Sequence, residues 1–325
     1  MTSLALTAVA SLHLLAVYVA TMGPLVCLWL QLRSRADGLA ANVNQQLLKM
    51  ASAALIIAAA LGGLAVLLIG QLFPDAYLAA ARLLPSSRYW PYGAVELVFS
   101  LVCFVMAAAL AGEATASRLY FGARWFATLL GSTNLAYHFP TLFVMLGVLS
   151  ARPEKWGQRL KFTTLLADPE IQSRVVHHLL AALVVTGAVI AWYGLRHGGD
   201  AVRAVAWGAK ISTAGLLCQL GTGLWVVMTM PAASRQMLFG DDLLAAGLFA
   251  GSLLATFFVL PGLAAAALGQ TDAPATKRSI VLALVIVVLM TATRHRTRAV
   301  LMSNRERHEA TAAGDAPVFL HHRHT

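Results

Sequence analysis

Five ionisable side chains stand inside stretches of sequence that are otherwise apolar. They are His13 in ASLHLLAVY, Glu96 in YGAVELVFS, His138 in NLAYHFPTL, and the pair His177 and His178 opening RVVHHLLAALVVTGAVIAWYGL. An ionisable group held in lipid is costly, so each marks a functional-site hypothesis. Neutral imidazole ligates iron and other transition metals, and a buried carboxylate can coordinate or take up protons. The chemistry on offer is therefore metal or haem ligation by histidine, with Glu96 as the candidate catalytic carboxylate. Structural alternatives stand beside it. His13 could instead hydrogen-bond across helices, and His138 lies beside Asn134 and before Pro140, whose missing N–H frees a carbonyl that needs a partner. His177 and His178 could sit at the headgroup level. Adjacent positions project about 100° apart on a helix, so one of the two faces a given cofactor.

The elements that must position these residues are membrane spans. The chain has 325 residues, 59% of them hydrophobic and 12% charged, with a mean hydropathy of +0.72. Soluble globular chains carry roughly 25% charged residues, so the composition is that of an integral membrane protein. A span needs about 20 mostly apolar residues. The segments that meet or approach this length are Leu4–Leu32, Leu47–Leu72, Tyr92–Leu110, Trp125–Leu149, Val175–Leu195, Val202–Met230 and Leu243–Leu268, with Ile280–Thr293 a short eighth. The expectation is an all-α polytopic bundle of eight spans, or seven if the last does not cross. The haem-binding bundle would occupy residues 1–302, followed by a polar, flexible tail over 303–325.

Leu4–Leu32 is too long for a secretory signal and lacks a charged start and a cleavage site, so it is expected to remain as a permanent helix. Cys27, Cys103 and Cys218 fall in different spans, with no CxxC or CxxCH motif. The net charge of +10 is scattered through loops and tail, which is a topology signal and not a nucleic-acid surface. Lys210 lies where its long stem can snorkel to water. The segment Ser150–Arg174, with LLADPE as a helix start, is expected to lie at the interface, as is the aromatic loop Phe73–Gly93. With alternate spans running in opposite directions, His13, Glu96, His138 and His178 fall at depths within roughly 10 Å of one another, at 1.5 Å per residue. The small residues Ala181, Ala182 and Gly187 would suit either a macrocycle or close helix packing.

In these residues the chain resembles the main haem-carrying subunit of cytochrome bd quinol oxidases, over roughly residues 1–230. The stretch VVHHLLAALVVTGAVIAWY is similar to that family's fifth span, in which a histidine precedes Thr-Gly-Ala by eight positions; here that histidine is His178. The resemblance implies that His178 ligates a low-spin haem b, leaving His177 as a neighbour of the cofactor. LALTAVASLHLLAVYVATMG resembles the first span, which would make His13 a ligand in the oxygen-reacting haem pair. YGAVELVFS looks like the third span, with Glu96 at that same site, and LLGSTNLAY resembles the fourth. His138 would be a substitute ligand peculiar to this chain.

The departures from the family are specific. Its second glutamate, two turns after the first, is Phe104 here; its long quinol loop is reduced to PAASRQMLFGDD, Pro231 to Asp242; and its late Gly-Arg-Gln-Pro-Trp signature is absent. Met228, Met230 and Met290 qualify as a second axial ligand by residue type alone. The expected function is accordingly a b-type haem cytochrome subunit, with one or more haems b and a further haem of b or d type. It would pass electrons between the quinone pool and a second membrane subunit or periplasmic cytochrome. Its setting would be the bacterial inner membrane, with the haem side periplasmic. Two other readings compete: a terminal oxidase that reduces O₂, and a non-redox membrane protein that binds an ion such as copper through histidine and methionine.

Overall fold

The computed structural model describes residues 2–72, 81, 90–111, 117–152, 160–270 and 272–312. The aromatic loop expected between the second and third spans lies largely outside them. Among the described residues the fold is all-helical: α1 (Thr2–Ser34), α2 (Gly38–Leu72), α3 (Trp90–Ala109), α4 (Arg118–Leu149), the short α5 (Phe162–Leu166), α6 (Pro169–His197), α7 (Val202–Thr229), the short α8 (Ala232–Gln236), α9 (Leu243–Ala267) and α10 (Ala273–Ala312). Among the described residues six stretches are long and apolar enough to cross a bilayer: Leu4–Ser34, Gly38–Gln71, Pro169–His197, Gly199–Thr229, Leu243–Ala267 and Ala273–Val300. The chain is thus a multi-pass membrane protein. The apolar part of α3, Gly93–Ala109, is shorter. Helix α4 is not among the six; Ser132, Thr133, Asn134, His138 and Pro140 interrupt its apolar run.

One expectation changes. The short eighth segment is the middle of a 40-residue helix, and that helix continues through residue 312, so the polar tail begins inside α10. As expected of a span from Trp125 to Leu149, α4 runs through Pro140, which is buried. The expected helix start at LLADPE is present: Asp168 caps α6 by accepting from the Glu170 N–H at 2.9 Å, and Pro169 takes the first helical position, where no donor is required. The segment Pro231 to Asp242 forms α8 and a π-helical turn, Met237–Asp241, before Asp242 caps α9.

Consecutive long helices pack as antiparallel pairs, α1 with α2, α3 with α4, α6 with α7 and α9 with α10; α1 also packs on α4, α6 and α10. The tightest crossing is α6 on α7. A side chain at Gly208 would strike the Gly187 carbonyl and the Ala191 backbone, and one at Gly187 would meet Ser212 Oγ at 2.5 Å and the Gly208 carbonyl at 2.6 Å. Small residues here let the two backbones touch, which is how helices associate when lipid offers no hydrophobic drive. Of the alternatives for Gly187, close packing is the one observed.

The start of α1 and the second half of α10 meet at one end of the bundle, which we term the histidine end; Thr7 Oγ1 lies 3.1 Å from His295 Nδ1. At that end Arg152, just past α4, bonds both Asp168 and Glu170, and Arg174 reaches the other Glu170 oxygen at 2.7 Å. Glu170 is only 4% exposed. Burial alone would raise the Asp168 carboxyl, but hydrogen bonds and charge from Arg152, with the Glu170 and Ile171 N–H groups, outweigh it and hold the group below its ordinary value of 3.8. A depressed carboxyl stabilises the fold above its ordinary value and loses that contribution as pH falls through the folded one.

Two outcomes follow for protein in detergent. Gly208→Val should destabilise by about 1–3 kcal/mol or more through overpacking, whereas Gly63→Ala, with open space around it, should melt like the parent; thermal unfolding compares them. Arg152→Ala should cost on the order of 1–3 kcal/mol by stripping charge-assisted bonds from a buried carboxylate. It should also flatten the loss of melting temperature that the parent shows on acidification below pH 3.8.

Candidate functional site

The histidines take up distinct environments. His13 Nδ1–H on α1 donates to the Ala58 carbonyl of α2 at 2.8 Å. Because that partner can only accept, the bond fixes the tautomer and leaves Nε2 as a lone-pair donor. An imidazole whose second nitrogen is anchored on a backbone carbonyl is the usual arrangement of a metal-ligating histidine. The ring lies flat on Gly62, where a Cβ would stand 2.9 Å from His13 Cε1. Glycine is therefore part of the site: any side chain at position 62 would displace the imidazole.

His178 has the opposite deficit. Its Nε2 is closed off from solvent and has no hydrogen-bond partner. The ring packs edge-on against Tyr18 of α1, with centroids 4.9 Å apart at 63°. Tyr18 itself lies in an apolar cluster with Val19, Ala182 and Val185, closed by Leu284 and Val287 of α10. Arg294 and His13 lie within electrostatic range of His178, and the guanidinium of Arg294 fills the space over Gly147 of α4.

His177, one position earlier, turns to α7. Its Nδ1 is 3.2 Å from Thr222 Oγ1, and its Cε1 lies against Gly223. The Thr222 hydroxyl gives its own proton to the Cys218 carbonyl at 3.2 Å, so His177 is the donor in that pair. The 100° step between neighbours thus separates a satisfied histidine from an unsatisfied one.

Glu96 and His138 form a separate pair on α3 and α4. His138 Nδ1 is 3.2 Å from Glu96 Oε1, off the line of a hydrogen bond, and Asn134 Nδ2 fastens the two helices by donating to the Glu96 carbonyl and to Ser100 Oγ. Among the described residues no hydrogen bond, ion pair or ring contact joins this pair to His13 or His178, and no three His, Cys, Asp or Glu side chains converge on a metal-holding point. The shared depth expected of all four is therefore realised as two sites.

Phe104, at the position of the family's second glutamate, is 0% exposed and packs against Gly131. Met290 faces α9, its sulfur 3.3 Å from Ser252 Oγ, and Met228 is exposed. Lys210 is exposed on α7. Four contributors at the histidine site were not singled out from the sequence: Tyr18, the Ala58 carbonyl, Gly62 and Arg294. Arg294 had a signal, since it is the first charge after the apolar run ending at Thr293; a backbone carbonyl and an apolar-facing tyrosine have none.

No protein-family model matches the chain, and no curated protein matches it.

Proposed function

We propose that the protein is a b-type haem membrane cytochrome related to the main subunit of cytochrome bd, carrying electrons between the quinone pool and a redox partner. The observation that carries this reading is the buried Nε2 of His178, an imidazole nitrogen with no partner in the protein, set within electrostatic range of His13. An orphaned nitrogen in such a place is destabilising unless something binds it. His178 would hold the iron of one haem b, and His13, with its tautomer set by Ala58, would hold a second haem of b or d type. Bound haem supplies a one-electron ferric/ferrous couple.

The chain's own residues do the rest. Ala58 orients the His13 ring and Gly62 leaves it room. Tyr18 packs edge-on against the His178 ring, and Arg294 places a positive charge within electrostatic range of it. Glu96 and His138 supply an acid–base pair on the neighbouring helices for protons that accompany quinol oxidation. In this reading α3 and α4 also cross, giving eight spans in a bacterial inner membrane, with the histidine end periplasmic. A second membrane subunit or periplasmic cytochrome receives the electrons. The electron-transfer reading is preferred to an oxidase because Phe104, sealed in the core, offers no proton-carrying group where the family has its second carboxylate.

The protein purified from membranes should be coloured. A pyridine haemochrome assay should give haem b, and the reduced-minus-oxidised spectrum a low-spin signal; a colourless protein overturns the reading. His178→Ala should abolish one low-spin signal while His177→Ala leaves it in place. Gly62→Ala, which displaces His13 without touching its chemistry, should perturb a different spectral component.

A further inference from the structure

At the end of the bundle opposite the histidines, α1 and α7 bring two arginines and two tryptophans together. Trp29 and Trp207 pack edge to face, with ring centroids 6.1 Å apart and planes at 84°. The Arg33 guanidinium lies over both rings, 4.8 Å from the Trp29 centroid and 5.9 Å from that of Trp207. The Arg203 guanidinium lies 5.8 Å from Trp207, so both cations converge on one indole. Stacking engages the face of a guanidinium and leaves the N–H donors at its edge. Among the described residues Arg33 makes no hydrogen bond or ion pair. Arg203 makes one, from Nη2 to Asp37 Oδ1 at 3.1 Å, and that oxygen also accepts from the Leu39 N–H. Both arginines are exposed, and the corner therefore holds positive charge in excess, with donors to spare. Lys210, exposed on the same stripe of α7 as Arg203 and Trp207, adds a cation that can snorkel toward the same level.

The surface beneath the cations says which anion fits. Arg33 closes the apolar run of α1, and Trp29 and Leu32, on the same face at i−4 and i−1, are 39% and 61% exposed. In a membrane-spanning helix that face meets acyl chains, and the arginines at its end stand at the level of the lipid phosphates. A soluble acidic partner would cover the cations and leave the apolar face bare. A zwitterionic headgroup would bring a cation of its own to indoles that already carry guanidiniums, with Asp37 already shared.

We propose that Arg33 and Arg203, held on the Trp29–Trp207 corner, bind the phosphate headgroup of an anionic phospholipid whose acyl chains lie along the Trp29–Leu32 face of α1. The indoles fix the guanidiniums in place, and the phosphate takes the edge donors that the protein leaves unused. The site depends on no assumption about haem.

Phosphatidylglycerol titrated into detergent micelles of the intact protein should raise its melting temperature, whereas phosphatidylcholine at the same mole fraction should not. Arg33→Gln with Arg203→Gln should weaken the apparent affinity by about fivefold for each arginine removed, the worth of one cation at an anionic surface. Lys277→Gln with Arg278→Gln removes as much charge from the exposed start of α10, at the same end of the bundle, and should leave the effect in place. Equal behaviour of the two double variants, whether both lose the effect or both keep it, overturns the proposal. Stabilisation of the same size by inorganic phosphate or by poly-glutamate overturns it too, since neither carries acyl chains. The parent alone gives a test that no variant's folding can obscure. Extracted from vesicles of equal phosphatidylglycerol and phosphatidylcholine, it should retain the former preferentially in native mass spectrometry; equal retention overturns the proposal.

Discussion

Lipid offers a polar group nothing to bond. Backbone amides answer this by closing into helices, and every side chain with a donor or acceptor must find its partner on its own helix or a neighbour. Most of the chain obeys. Ser11, Ser52, Thr133, Thr256 and Thr291 return their hydroxyl protons to carbonyls one turn back. Ser212 ties α7 to the Val184 carbonyl, and Asn134 ties α4 to α3. Against that background the buried atoms without partners are informative, among them His178 Nε2 at the histidine end and Arg124 Nη2, Gln31 Oε1 and the Asn44 amide at the other.

The two ends differ in what they lack. At the histidine end the unsatisfied atom is a single imidazole nitrogen, on a ring packed edge-on against Tyr18, and it is this atom on which the haem proposal rests. At the other end the unpartnered atoms are two donors, Arg124 Nη2 and Asn44 Nδ2, and two acceptors, Asn44 Oδ1 and Gln31 Oε1. The close glycine-lined crossing of α6 on α7 supports the histidine end from behind, holding His177 on Thr222 so that the adjacent turn presents His178 to α1.

Much of this was legible from composition. Long apolar runs in a chain with few charges leave no alternative to helices, so Leu4–Leu32 lies inside α1 and Leu243–Leu268 matches α9 to within one residue. The LLADPE start was legible because an Asp before Pro and Glu is a local device. The length of the last helix was not: from Arg294 onward it is charged, and its helicity at that point rests on partners distant in sequence, Thr7 for His295 and Asp242 for Arg296. Depth along a span was legible for the histidines, but azimuth was not. Two residues at one depth on neighbouring helices can face toward or away from each other, which is why Glu96 and His138 pair with one another and stand apart from His13 and His178.

Arg124 shows the same limit in a sharper form. In sequence it is one of many arginines flanking an apolar run, a residue expected to reach water. In the fold it is buried, and the guanidinium ends on the Ala107 carbonyl of α3. What distinguishes it from Arg118, six residues earlier and exposed at the helix start, is that Cys27 and Gln31 form an i, i+4 face on α1 while Arg124, Thr128 and Ser132 form a matching i, i+4, i+8 face on α4. Neither polar face is remarkable alone. Their meeting requires α1 to pack on α4, a pairing between helices that are not consecutive and that no local pattern encodes. Short-range signals therefore locate a helix and its polar stripe, while the fold decides whether that stripe meets lipid, water or another stripe.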